Sequence, residues 1–182
     1  MRKRLREKHS NQELAKIYSE PHQHRKWADH KLRVSSTIAL AQWASEGATS
    51  AADLSAGDAS IINALDVPDK FIGDFAPGYD YTGAIEQTID EIPMVNLFIC
   101  SETLEHLDDP DFVLRKIRQK SNLLVLSTPI DESDSENVEH YWGWGVDDIE
   151  EMLLKAKWNP RVMQTITFRK LYHYDYQLWL CA

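Results

Sequence analysis

The sequence predicts an α/β fold in which a mostly parallel sheet carries helices on both faces and ends in an antiparallel strand pair. Three observations carry this. Short β-rich apolar runs alternate with helical patterns between residues 49 and 157, the order that parallel βαβ units produce. Residues 95–100, VNLFIC, form a nearly unbroken apolar run, as in a strand buried on both faces. The chain then ends on two successive β-rich segments, 162–168 and 174–181, joined by a polar stretch.

Taken in order, residues 11–19 predict a short helix. Pro21 can open a longer one that Gly47 closes, with Trp27, Val34, Ile38 and Ala41 as its buried stripe. Residues 49–54 read as a strand running into the turn Ser-Ala-Gly-Asp, and 61–65 as a short helix. Residues 70–73 are a second strand, followed by a loop of Gly, Pro and Tyr. Residues 84–89 fit either a helix or a strand. After the central strand 95–100, residues 111–119 are helical with Phe112, Val113 and Ile117 inward. Residues 123–127 are a buried strand stopped by Thr128-Pro129, and 131–139 an acidic loop. Residues 146–157 form an amphipathic helix with Ile149, Met152, Leu153 and Ala156 on one face.

The 182 residues suit one domain with its own core. No run approaches the ~18 apolar residues of a membrane span, and the basic start MRKRLREKHSNQEL has no apolar stretch behind it. Cys100 and Cys181 sit in apolar segments and read as small core residues in a reducing, cytoplasmic setting. Net charge is −9, unevenly spread: residues 1–33 hold ten Lys/Arg against four acids, while 131–151 hold nine acids and no Lys or Arg. An acidic body argues against a broad nucleic-acid groove. The basic arm reads first as a frayed, solvated terminus.

In such sheets ligands bind at the carboxyl ends of the strands, where Asp53-Leu54-Ser55, Asp74, Ser101-Glu102 and Ser127-Thr128 fall. Residues 51–60, AADLSAGDAS, resemble the first motif of class I S-adenosylmethionine-dependent methyltransferases, acid-hydrophobic-G-x-G-x-G after the first strand. Asp53 matches the acid and Gly57 the central glycine; Ser55 and Ala59 replace the outer two. Asp74 ends the next strand 21 residues after Asp53, where a ribose diol finds its acceptor. VNLFICSETLEHLDDPDFVLRKI, NLLVLSTP and HYWGWGVDDIEEMLLKAKWNP are similar to the family's later segments, so the likeness covers about residues 50–182. It implies a Rossmann-like, seven-stranded sheet over 48–182 and an N-terminal helical segment or lid over 1–47. It further implies S-adenosylmethionine as cofactor, held by Asp53, Ser55, Gly57, Asp74, Glu86 and Ser101.

In SETLEHLDDP, with Ser101 or Thr103 capping a helix, Glu102, Glu105 and His106 share one face. The plain reading is acids favouring a helix dipole. Yet His140, after the next strand, belongs to the same sheet edge. Two carboxylates and two imidazoles suit a divalent cation. The E-x-x-E-H pattern with a distant His resembles two groups of metal-using methyltransferases, the small-RNA 3′-terminal 2′-O-methyltransferases and the O-methyltransferases of ubiquinone biosynthesis. Carried over, Glu102, Glu105, His106 and His140 would hold Mg²⁺ or Mn²⁺ ahead of Zn²⁺ or Fe²⁺. Without a metal, His106 or His140 would be the general base. His24, Trp27 and His30 would touch substrate from the lid, and Tyr141-Trp142 from beside His140. Tyr79, Tyr81 and Trp144 gather near the same edge. The acidic run favours a small-molecule or sugar hydroxyl as substrate, with RNA 2′-O-methylation second. A non-catalytic methyltransferase-like scaffold is the alternative from another class.

Overall fold

The computed structural model describes residues 1–20, 28–132, 137–168 and 175–182. The sequence expectations for Pro21, His24 and Trp27 lie outside the described residues. The described elements are β1 (Lys3–Arg4), α1 (Asn11–Ile17), α2 (Ala28–Ala44), β2 (Ser50–Asp53), α3 (Ser60–Asn63), β3 (Asp69–Asp74), β4 (Tyr81–Thr82), α4 (Ile85–Thr88), β5 (Val95–Ser101), α5 (Pro110–Lys120), β6 (Ser121–Ile130), β7 (Trp142–Gly143), α6 (Val146–Lys155), β8 (Pro160–Ile166) and β9 (Asp175–Cys181). A 3₁₀ turn, Leu104–His106, follows β5.

Seven of the described strands make one sheet in the order β4-β3-β2-β5-β6-β9-β8. The first five run parallel, and β9 pairs antiparallel with both β6 and β8. This is the expected parallel sheet with its terminal antiparallel pair. Strands β5 and β6 occupy the centre, and Leu97, Phe98, Ile99, Leu124, Val125 and Leu126 are fully buried between the two covering layers. One layer is built on α4, α5 and α6, the other on α2 and α3. Helix α5 shows why these segments are helical: Asp109 caps it through Phe112 N–H, Pro110 supplies the preset first turn, and Val113, Leu114 and Ile117 face inward. Gly47, at φ +75°, ends the α2 segment. Among the described residues no helix is long and apolar enough to cross a membrane.

Three expectations are corrected. Thr128-Pro129 does not stop β6, which runs on to Ile130. Its parallel partner β5 pairs only as far as Ser127, while β9 continues alongside through Asp175. Pro129 therefore stands where its missing N–H interrupts no β5 pairing. Second, no α-helix starts at Ser101 or Thr103: Glu102 lies in the left-handed region (φ +53°) and one 3₁₀ turn follows. Third, the basic arm is not frayed. Lys3–Arg4 pairs antiparallel with Trp142–Gly143. The Arg2 and Arg4 guanidiniums sit 4.2 and 4.7 Å from the Trp142 ring centroid, and they pair with Asp111 and Asp108 respectively. Acids of the body gather the arm's cations, and an indole gives them a face to stack on.

Candidate functional site

Strands β2, β3, β5 and β6 deliver their carboxyl ends to one edge. On the β2–β3 side, the loop 55–59 is held by carboxylates. Asp74, nearly buried, accepts from Gly57 N–H (2.7 Å) through one oxygen and from Ala76 N–H (2.9 Å) through the other. The Tyr79 hydroxyl donates to the Gly57 carbonyl at 2.6 Å. Gly57 (φ +55°) and Ala59 (φ +54°) both take left-handed backbone. Glycine does this freely and alanine at a cost, so the Ala59 substitution does not prevent the tight turn. Asp53 is 2% exposed and accepts from Ser55 N–H. Burial pushes its carboxyl up to about 7, with the Asp74 charge adding to the effect and Arg33 opposing it. The Ser55 hydroxyl bonds Thr103 at 2.6 Å, tying this loop to the turn after β5. Glu86 stands half-buried in the first turn of α4.

On the β5–β6 side, two hydrogen-bonded chains support the two glutamates. The Arg33 guanidinium donates to Ser101 Oγ (2.7 Å), leaving that hydroxyl to donate to Ser127 Oγ (2.8 Å), which donates to Glu102 Oε1 (3.0 Å). Trp144 Nε1–H donates to Thr128 Oγ1 (2.9 Å), which donates to Glu105 Oε2 (3.1 Å). The pairing of Ser101 with Ser127 in register makes the first chain possible. Burial raises the Glu102 carboxyl, with Arg33 and His140 pulling the other way. Burial holds the Glu105 carboxyl well above the usual range, and the Glu102 charge adds to this.

Glu105, His106 and His140 offer ligand atoms that all lie within 4.8 Å of one another, and the two imidazoles meet edge to face with centroids 4.7 Å apart. Three of the four residues expected to hold a cation are thus brought together. Glu102 is turned instead towards Ser127, with Arg33 Nε 4.0 Å from its other oxygen. Glu105 is fully buried, and its Oε1 has no hydrogen-bond partner among the described residues.

Of the expected substrate contacts, Tyr141 is 1% exposed; its hydroxyl accepts from His9 N–H and its N–H donates to the Glu105 carbonyl. Trp142 lies under Arg2 and Arg4 and donates to the Leu107 carbonyl. Both rings are taken up by the N-terminal arm. His30 is half-buried on α2, with its ring 6.2 Å from Tyr176, the same ring that Arg33 approaches to 5.7 Å. His24 and Trp27 lie outside the described residues.

Sequence reading missed Arg33, Glu132 and Tyr18, and it placed Thr128 at this edge without a role. Arg33 adjoins Val34 on the buried stripe, and a cation there was a signal. Glu132 was hidden among eight other acids of one run. Tyr18, on the turn after α1, brings its hydroxyl to 3.4 Å from His106 Nδ1 and its ring to 5.5 Å from Phe75. Burial, then the nearby Glu139 carboxylate, push its phenol up.

No protein-family model matches the sequence, and no curated protein matches it in sequence. Solved structures do match in fold. The N-methyltransferase NodS of Bradyrhizobium japonicum WM9, in complex with S-adenosyl-L-homocysteine, aligns at TM-score 0.68 and 11% identity, covering 93% of this chain and 96% of its own. Magnesium protoporphyrin IX methyltransferase of Synechocystis PCC 6803, with S-adenosylhomocysteine bound, aligns at TM-score 0.65 and 13% identity, covering 91% and 90%. The [4+2]-cyclase SpnF aligns at TM-score 0.67 and 9% identity, covering 93% and 89%. The chain shares the Rossmann-like methyltransferase fold. A cyclase on the same fold means that the chemistry must be argued from the site.

Proposed function

We propose that this chain is an S-adenosylmethionine-dependent methyltransferase acting on a hydroxyl of a small molecule or sugar, assisted by one divalent cation. The observation that carries the reading is the buried Glu105–His106–His140 cluster, on the same sheet edge as the Asp53–Gly57–Asp74 loop.

The residues present fit both groups. Each Asp74 oxygen accepts one backbone N–H, and a carboxylate has about four lone-pair sites, so acceptor capacity for a ribose diol is left. On the other side, His106 Nδ1 bonds the Glu139 carbonyl (3.1 Å), which only accepts, so that nitrogen carries the proton. Its Nε2 then keeps a lone pair. Asn137 Nδ2 faces His140 Nε2 (2.9 Å) while Glu132 faces its Nδ1 (2.7 Å), which gives His140 the same tautomer. The two imidazoles and the Glu105 carboxylate, whose Oε1 has no hydrogen-bond partner among the described residues, make one donor set. Two nitrogens with one carboxylate suit Mn²⁺, Fe²⁺ or Zn²⁺ better than Mg²⁺, which prefers oxygen. When bound, the cofactor supplies an activated methyl group, and the cation lowers the pKa of a coordinated hydroxyl.

The protein's own part is placement and proton handling. Burial of Glu105, His140 and the strand ends excludes water from the reacting edge, and rigid strand termini fix the geometry. Without a bound cation, the Nε2 lone pair of His106 or His140 would be the base that takes the hydroxyl proton. The arm's Arg2 and Arg4 are committed to Asp111 and Asp108, which favours a small substrate over RNA. One observation favours a non-catalytic scaffold instead: both oxygens of Asp74 already hold the loop, as a degraded cofactor site would.

Calorimetry of the full chain with S-adenosylhomocysteine decides first. Binding that is lost on Asp74→Ala is expected; no binding at high micromolar concentration overturns the cofactor reading in favour of the scaffold. Elemental analysis, then methyl transfer to polyol and catechol panels with and without EDTA, tests the rest. Turnover indifferent to EDTA, with no metal in the protein, removes the cation.

A further inference from the structure

We infer that Glu132 is the positioning residue of this site: it sets the tautomer of His140 and so makes Nε2 the atom presented to a cation or a substrate proton. The inference rests on the proposed function for its purpose, but the tautomer itself can be measured without any ligand.

Glu132 is 8% exposed and His140 3%. The Glu132 Oε2 to His140 Nδ1 distance is 2.7 Å, short for an N–H···O bond, as when the acceptor is charged. An imidazole that presents one nitrogen usually donates its other N–H to a carboxylate or carbonyl, which fixes ring and tautomer together. Both imidazoles here follow that pattern through one segment. Glu132 supplies a carboxylate to His140, and Glu139 supplies a backbone carbonyl to His106.

The backbone around Glu132 is held for the task. Asp131 turns the chain out of β6 at φ +53°, and its N–H donates to the Trp144 carbonyl at 2.8 Å. Gly143 lets β7 press against Glu132: a Cβ at 143 would run into the Glu132 carbonyl oxygen. Trp144, next in the chain, carries the indole that supports Thr128 and through it Glu105. Glu132 and His140 are therefore mounted on one packed corner, where β6 ends and β7 passes, and Glu105 is braced from it through Trp144 and Thr128. Asn137 Nδ2 meets the His140 Nε2 lone pair, marking where an incoming cation must displace a weak neutral donor.

Two readouts on the full chain test this. Long-range 1H–15N NMR of the metal-free protein, with His140 assigned through His140→Gln, is expected to show His140 protonated at Nδ1 alone. In Glu132→Gln, whose amide can donate as well as accept, a second tautomer appears at His140 while His106 keeps its own. Zn²⁺ titration is expected to give a dissociation constant about 10- to 100-fold weaker in Glu132→Gln, with part of the loss recovered in Glu132→Asp. A wild-type His140 protonated at Nε2 overturns the inference, as does an unchanged tautomer in Glu132→Gln. So does equal Zn²⁺ affinity in wild type and Glu132→Gln when His140→Gln has lost it. Should the wild type bind no Zn²⁺, the cation half of the proposed function fails, and the tautomer measurement still decides on Glu132. Should Glu132→Gln not fold, the wild-type spectrum and Glu132→Asp decide instead.

Discussion

Asp53 is predicted to weaken the fold at neutral pH, and Asp53→Asn to strengthen it. The carboxyl is 2% exposed, and its pKa rises from the ordinary 3.8 to about 7, first through burial and then through Asp74. A group whose folded pKa is raised contributes stability that is intact below 3.8 and is lost as pH rises through about 7. With those two values, the carboxyl costs on the order of 1–2 kcal/mol at pH 5 and about 4 kcal/mol at pH 8. Asparagine keeps an acceptor for Ser55 N–H and removes the titration. The stability advantage of Asp53→Asn over wild type should thus grow by about 2–3 kcal/mol from pH 5 to pH 8, on the order of 5–10 °C in Tm for a chain of this size. Urea unfolding of both proteins at pH 5, 6, 7 and 8 measures the difference, in which titrating groups that do not interact with Asp53 cancel. Parallel pH profiles for the two would refute the reasoning, because Asp53 would then have an ordinary pKa and its burial would carry no electrostatic penalty.

Arg33→Met should destabilise by about 3–5 kcal/mol, since Glu102 then loses its buried counter-charge; Arg33→Met with Glu102→Gln should regain most of this in the same denaturation assay. Gly143→Ala should force β7 away from Glu132, weakening Zn²⁺ binding at least as much as Glu132→Gln does, as read by titration calorimetry. Arg2→Ala with Arg4→Ala should cost about 1–2 kcal/mol, because the ion pairs are partly exposed and the indole stacking is modest. The Trp142 emission should also shift red as its cover is lost, while S-adenosylhomocysteine affinity stays unchanged.

The strand order was legible because each buried strand writes its own composition. Residues 95–100 read as the central strand and 123–127 as a buried one, and the two lie side by side in the middle of the sheet. What composition does not carry is backbone geometry at strand ends. Spacing suggested one helical face for Glu102, Glu105 and His106, and the chain instead turns through left-handed backbone at Glu102 and a single 3₁₀ turn. The cluster forms even so, because convergence depends on which strands are neighbours rather than on helix period. β5 lies beside β6, so whatever follows each strand meets at one edge. That same logic separates the glutamates: Glu102, directly on the strand end, falls to the Ser127–Arg33 side, while Glu105, three residues on, reaches the histidines.

The basic arm was read alone, as a solvated terminus. Its partners Asp108 and Asp111 were not read with it, because opposite charges separated by a hundred residues find each other only once the sheet is built. Arg4 meets Asp108 and Arg2 meets Asp111, and the indole between them belongs to the strand that follows His140. The arm also feeds into α1, whose C-terminal Tyr18 reaches His106. A net charge of −9 is therefore a poor guide to what this edge attracts. Its strongest positive segment is spent inside the molecule, holding the corner on which Glu132, His140 and Trp144 are mounted.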